Sequence, residues 1–193
     1  MSMAWIAVVL LALVLLLVGA AGYGVSLYNG LVQVKHQVDQ AWANIDVLLK
    51  QRHDELPKLI DAVKSYLRHE STLLEKVTAL RTRAQAGSAG TERVAAEQAL
   101  TQGVLQLLAV AERYPQLRAS EVFVDLQARI SALEEQIAHR REFYNAAVNI
   151  NNVRLEQFPD LLLASPAGLT RKPLFEAITA ERTDVDVGAR LNA

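Results

Sequence analysis

The apolar residues of this chain first run together and then spread out to helical spacing. From Met3 to Ala21 the chain reads Met-Ala-Trp-Ile-Ala-Val-Val-Leu-Leu-Ala-Leu-Val-Leu-Leu-Leu-Val-Gly-Ala-Ala, and it stays mildly apolar to Val34. A helix needs roughly 20 such residues to cross the hydrocarbon of a bilayer. From Leu31 the pattern changes. Leu31, Val34, Val38, Ala41 with Trp42, Ile45 and Leu48 with Leu49 recur every three or four positions. That is the stripe of an amphipathic helix with one face turned to a core.

Around Gln51-Arg52-His53-Asp54 the stripe lapses. Asp54 can cap a new helix, with Glu55 and Pro57 in its first turn, where proline is tolerated. The coincidence of lapse, cap and proline favours a turn here. One long helix kinked at Pro57 stays open, because the stripe resumes in phase at Leu56, Leu59 with Ile60, Val63, Tyr66 with Leu67, Leu73 with Leu74, Val77 and Leu80.

Ala86-Gly87-Ser88-Ala89-Gly90 reads as a loop. Thr91 is the expected cap of a third helix carrying Val94, Leu100, Leu105, Leu107 with Leu108 and Ala111. Tyr114-Pro115 closes it, since the residue before a proline avoids the helical region. Ser120-Glu121 opens a fourth helix with the cleanest seam: Leu126, Ile130, Leu133, Ile137, Tyr144, Ala147 with Val148, Leu155 and Phe158, stopped by Pro159. Then come an apolar patch at Leu161-Leu162-Leu163-Ala164, a turn at Ser165-Pro166-Ala167-Gly168, and a charged tail from Thr179 expected to be mobile.

No internal repeat and no strand-period segment appears. The pattern predicts an all-α fold: an N-terminal transmembrane helix followed by an elongated antiparallel, up-and-down four-helix bundle with coiled-coil-like seams. The expected division is 1–27 anchor, 28–160 helical bundle, 161–178 apolar C-terminal segment and 179–193 tail. In such a bundle helix four returns toward the membrane, which would bring Phe158–Ala164 near the lipid surface; there the patch is expected to pack against the bundle's own end with Leu169 and Phe175, the alternative being contact with the bilayer or a neighbouring subunit.

Composition sharpens this picture in three places. The first 34 residues contain no Asp, Glu, Lys, Arg or His; beyond them 20 basic residues face 21 acidic ones, a balance that gives no electrostatic reason to bind nucleic acid. There is no cysteine, which excludes disulfides, thiolate metal sites and cysteine nucleophiles. The N-terminus Met-Ser-Met-Ala-Trp lacks the basic side chains of a signal peptide, so the apolar run reads as an uncleaved signal-anchor although Val18-Gly19-Ala20 resembles a cleavage site. Trp5, Tyr23 and Tyr28 bracket it as interfacial aromatics do. Lys35, His36, Lys50 and Arg52 follow the span and no basic side chain precedes it. The positive-inside rule then predicts a single-pass protein with a short N-terminus outside and the C-terminal domain in the cytoplasm.

Several dispersed stretches carry a family resemblance: Tyr28-Asn29-x-Leu31-Val32, Ala41-Trp42-Ala43-Asn44-Ile45-Asp46-Val47-x-Leu49-Lys50, Arg52-x-Asp54-x-x-Pro57-x-Leu59, Val63-Lys64-x-Tyr66 and His69-Glu70. Later come Leu108-Ala109-Val110-Ala111-Glu112-x-Tyr114-Pro115-x-Leu117, Tyr144-Asn145-x-Ala147-Val148, Asn152 and Phe158-Pro159. In this order and spacing, from about Tyr28 to Phe175, the chain resembles the LemA family of bacterial membrane proteins. Ala167-Gly168-Leu169 departs from the family pattern, which has aromatics on both sides of the glycine. The resemblance implies a single N-terminal anchor, a cytoplasmic LemA-like helical bundle and no established enzymatic activity. It also implies links to envelope stress, to membrane proteases and, in magnetosome relatives, to membrane shaping.

No motif competes with that reading. His69-Glu70 lacks the second histidine of an HExxH zinc site, since position 73 is Leu, and His36, His53 and His139 have no paired ligands at helical spacing. Gly87-Ser88-Ala89-Gly90 is a flexible loop rather than a nucleophile elbow, and Gly19, Gly22 and Gly24 belong to the anchor rather than to a phosphate loop. No catalytic, cofactor-binding or metal-ligating residue is therefore expected. Asn44 and Asp46 beside Trp42, Arg140 and Arg141, and Asn145, Asn151 and Asn152 interrupt apolar faces. They are expected to make buried hydrogen bonds that fix helix register, the alternative being a partner-recognition network. Trp42, Tyr66, Tyr114, Phe123 and Tyr144 are expected in the core rather than around a ligand groove. The resulting expectation is a non-enzymatic scaffold or adaptor whose partners are the lipid bilayer and further copies of itself. A regulatory partner of a membrane protease is the other reading.

Overall fold

In the computed structural model the described residues are 3–87 and 90–175. They form helices α1 (Met3–Lys64), α2 (Ser71–Ala86), α3 (Thr91–Ala111), α4 (Pro115–Arg118), α5 (Glu121–Arg154) and α6 (Asp160–Ala164), with a 3₁₀ turn at Arg68–Glu70. No strand occurs among the described residues, so the fold is all-α with an N-terminal apolar helix. The loop residues Ser88 and Ala89 and the charged tail expected from Thr179 lie outside the described residues.

The turn favoured at Gln51–Asp54 does not exist: α1 runs without a break from Met3 to Lys64 with Pro57 inside it. Asp54 caps nothing. Proline in a helix interior leaves the carbonyl four residues earlier without its N–H partner, a defect of roughly 3 kcal/mol. Here that carbonyl belongs to His53, and Arg81 of α2 donates its Nε–H to it at 3.0 Å. A charged donor on the next helix thus replaces the missing backbone bond. The chain turns later, where Tyr66 and Leu67 both donate to the Val63 carbonyl and the 3₁₀ turn follows.

Residues up to Ala41, with Ala146–Lys172, make one compact unit. In it the apolar run of α1 is exposed along its length and is long and apolar enough to cross a membrane. Packing begins at Leu31, which is fully buried against Leu155, Leu163, Ala164, Ala167 and Leu169. α5 ends at Arg154, a turn short of the expected stop at Pro159. Leu155 is only half-buried and Phe158 is 78% exposed, so neither extends the α5 seam. The short α6 takes up Asp160–Ala164, and Gly168, at φ +73°, makes the turn that returns Leu169 to Leu31.

Trp42–Asn145, with the chain from Pro173, make a second unit. Its apolar cluster joins Leu56, Leu59, Val63 and Leu67 of α1 and its exit to Leu73, Leu74 and Val77 of α2, Leu100, Val104 and Leu107 of α3, and Phe123, Leu126 and Ile130 of α5. α3 also has the length and apolarity of a membrane span, but it is mostly buried in this cluster and is a core helix. Its cap position is Gly90, at φ +109°, and Thr91 is its first residue, with no side-chain cap bond. A positive φ suits glycine and explains why the expected threonine cap sits one place too late. Ser120 does cap α5, its Oγ accepting from the Phe123 N–H.

Candidate functional site

The lapse in the α1 stripe is filled by charge. Arg52 and His53 continue the buried face between Leu49 and Leu56, and Arg52 is completely buried. From α3, Glu97 and Thr101 occupy the same face as Leu100 and Val104; from α5, Glu134 and Arg141 occupy that of Ile130 and Ile137. Three helices therefore each place polar groups in register inside the second unit.

Most of these groups find partners in one another, although the buried Arg52 Nε has none. Arg52 donates to Glu97, to Glu134 at 2.8 Å and to the Thr101 hydroxyl at 2.6 Å. Thr101 accepts again from Arg141 at 3.0 Å and donates its single proton to the other Glu134 oxygen at 3.1 Å. His53 lies 3.0 Å from Glu97 through Nε2, which places a proton on that nitrogen, and its buried Nδ1 has no hydrogen-bond partner. Burial alone pushes the Glu97 carboxyl up. The hydrogen bond from His53 and the charge of Arg52 outweigh it and hold the carboxyl below its ordinary value. Two guanidinium groups balance two carboxylates, so the layer is neutral when His53 is neutral. Its physical effect is to lock helix register, because sliding any of the three helices strands a buried charge.

Arg141 ties this layer to an aromatic site. Its guanidinium lies 4.8 Å from the centre of the Phe175 ring. That ring stacks on Trp42 at 6.0 Å and meets Tyr144 edge-on at 5.6 Å. Asn145 grips the Phe175 backbone with both ends of its amide, each bond 2.9 Å. The Tyr144 hydroxyl donates to the Pro173 carbonyl at 3.1 Å, and burial pushes its pKa up, so it stays a neutral donor. Arg93, itself paired with Asp46, lies over the Trp42 ring at 5.3 Å from its centre. In the first unit the same device recurs: Asn152 holds the Lys172 backbone at both N–H and carbonyl, and Asn151 donates to the Thr170 carbonyl.

The asparagines expected to fix helix register thus do something else. They bind an extended segment of the chain's own C-terminal part through its backbone. Arg141 is buried as expected while Arg140 and Asn44 are exposed, and Asp46 is half-buried. Phe123 and Tyr144 are core, Trp42 and Tyr114 are half-buried, and Tyr66 is exposed. None of these aromatics lines the groove of about 610 Å³ beside Ile60, Leu67 and Leu74. Of the histidines, His36, His69 and His139 are exposed and only His53 is buried. No cluster of three potential metal-ligating side chains occurs among the described residues. Arg52, Glu97, Thr101 and Glu134 were missed by the sequence reading. Their signal was present as polar residues standing in phase with the apolar stripes of three helices.

The LemA family model matches residues 41–188, more than half of the chain and the whole stretch that builds the charged layer. The chain belongs to the LemA family. Among its relatives are the LemA protein of Metamycoplasma hominis, 25% identical over 169 residues that cover 85% of this chain and 75% of the relative. The magnetosome proteins MamQ 1 and MamQ 2 of Paramagnetospirillum magneticum are each 23% identical over 184 residues, 82% of this chain and 68% of theirs. The N-terminal apolar helix, which precedes the matched residues, is long and apolar enough to cross a membrane. The LemA resemblance read from the scattered motifs is thereby established for most of the chain.

Proposed function

We propose that this protein is a non-enzymatic, membrane-anchored scaffold or adaptor that self-associates and organises or shapes the bilayer holding it. Its helices after residue 28 form an antiparallel four-helix bundle in the cytoplasm of a bacterial cell, with the N-terminus outside the inner membrane. One observation carries this reading above the others. The helix that bears the apolar run is the same uninterrupted helix that supplies Arg52 and His53 to the buried charged layer. One helix therefore runs from the proposed anchor into a core most of whose polar groups are spent on one another. Such a core holds a shape rather than presenting a reactive group. Kinship with magnetosome proteins supports a role bound to a membrane structure.

The test uses the purified full-length chain reconstituted into liposomes and imaged by cryo-electron microscopy. Regular rings, tubes or ordered coats without any added partner are expected. Undeformed vesicles carrying dispersed monomers would overturn the scaffold and leave regulation of a membrane protease as the reading to pursue. Orientation is tested separately with single cysteines at Ser2 and Ser88. An impermeant thiol reagent should label the first in intact cells and not the second.

A further inference from the structure

The first unit leaves an apolar surface uncovered beside Leu31, just past the apolar run of α1. Ala164, Ala167 and Leu169 turn inward onto Leu31 of α1. Phe158, Leu161 and Leu162, from the same short stretch, turn outward and are 78%, 52% and 65% exposed. Neighbouring positions on a helix point about 100° apart, so one turn cannot put all of Leu161, Leu162, Leu163 and Ala164 against α1. The stretch is held in place from both sides. Arg154 closes on α1 at Gly30 and pairs with Asp160 at 3.5 Å, and Lys35 closes on the turn at Gly168.

The height of this surface is set by α1 within the same unit. At 1.5 Å per residue, Leu31 lies roughly 5 Å beyond Tyr28, the last aromatic of the apolar run, and a headgroup layer is itself several ångströms thick. Charge is compatible with that depth. In the same unit Arg154 pairs with Asp160 and Arg171 with Glu156 at 3.1 Å, and Lys35 and Lys172 stand against Asp39, a slight basic excess that anionic headgroups can meet.

We propose that Phe158, Leu161 and Leu162 form a shallow membrane-inserting wedge, a second lipid contact beside the anchor, seated in the headgroup layer of an anionic bilayer. It requires the anchor but not self-association. It fixes the tilt and rotation of α1 at the surface, which a lone spanning helix leaves free.

The chain has no cysteine, so Leu162→Cys gives a single labelling site on the full-length protein. An environment-sensitive fluorophore there is reconstituted into phosphatidylcholine–phosphatidylglycerol vesicles at low protein density. Quenching is read with lipids spin-labelled at shallow or deep positions. Phe158→Cys serves as a second reporter, and Val122→Cys, 65% exposed in the second unit, as the reference. Blue-shifted emission at 162 and 158 is expected, with shallow quenching several-fold above that at 122 and unchanged when the protein is diluted in lipid. Equal, weak quenching at all three sites overturns the wedge. A blue shift that disappears on dilution also overturns it, because a second copy would then be what covers the patch.

Discussion

Leu56, Leu59 and Val63 of α1 enter an apolar cluster with Leu100 and Leu107 of α3, whereas Arg52 and His53, one turn earlier, meet Glu97, Thr101 and Glu134. Both stretches are buried and both hold α1 against α3. They differ in what a fault costs. In the apolar stretch each lost side chain leaves a cavity, and neighbours relax into part of it. In the charged stretch each ion has lost its water at a cost of several kcal/mol, and only its partners offset that loss. The apolar stretch therefore contributes stability in graded amounts. The charged stretch contributes a single permitted register.

The largest effect expected from this difference is non-additivity in the charged layer. Glu97→Ala should destabilise the protein by about 3–5 kcal/mol, because it strands Arg52 and His53. Replacing Arg52, Glu97, Glu134 and Arg141 together by Met or Leu should cost far less than any of their single losses. In the apolar stretch, Leu59→Ala should cost about 2–5 kcal/mol, and adding Leu107→Ala should make matters worse. Chemical denaturation curves decide between the two behaviours. Acid offers a second reading of the same layer. The Glu97 carboxyl titrates below its ordinary value of 4.5, so its contribution is complete above that value and is lost as pH falls through the lowered one. Glu97→Gln should flatten this acid limb of the stability–pH profile.

A smaller effect is expected where the charged layer meets the aromatic site. A fully buried tryptophan costs about 3–5 kcal/mol to truncate. Trp42 is only half-buried, so Trp42→Ala should cost nearer 2 kcal/mol, mostly through the ring it offers to Phe175. An equal loss from Phe175→Ala, with little added by the double variant, would place both in one interaction. The melting temperatures of the three proteins give the comparison.

Smallest is the repair of Pro57. Arg81→Ala removes the donor from the His53 carbonyl and should cost about 1–2 kcal/mol. In a Pro57→Ala background the backbone N–H returns to that carbonyl, so the same Arg81→Ala change should then cost less. Equal costs in the two backgrounds would mean that Arg81 does not stand in for the missing bond.

The two stretches were unequally legible. The apolar one announced itself: Leu31, Val34, Val38, Ile45, Leu49, Leu56, Leu59 and Val63 all read as a stripe and all are buried. The charged one read as the stripe's failure. Periodicity scores a buried arginine as exposed, and Asp54 with Pro57 supplied a local account of the gap in terms of a turn. Only partners 45 to 82 residues away make burial of Arg52 tolerable, and spacing along one helix cannot see them. The asparagines were misread for a related reason. Asn145 and Asn152 recognise backbone, which has no sequence signature, on an extended segment that follows the last helix. Leu105 shows the opposite error, a leucine placed in the α3 stripe that is 43% exposed.

The central claim is that α1 passes unbroken through a buried charged layer where a turn was expected. Spin labels on cysteines at Val47 and Asp61, both exposed and fourteen positions apart across the disputed region, test it by pulsed dipolar spectroscopy on the full-length chain. An unbroken helix predicts one narrow distribution consistent with a Cα separation of roughly 21 Å at 1.5 Å per residue. A turn at Gln51–Asp54 would fold the two positions onto adjacent helices. The separation would then fall to roughly the 10 Å of packed helix axes, and that result would contradict the account.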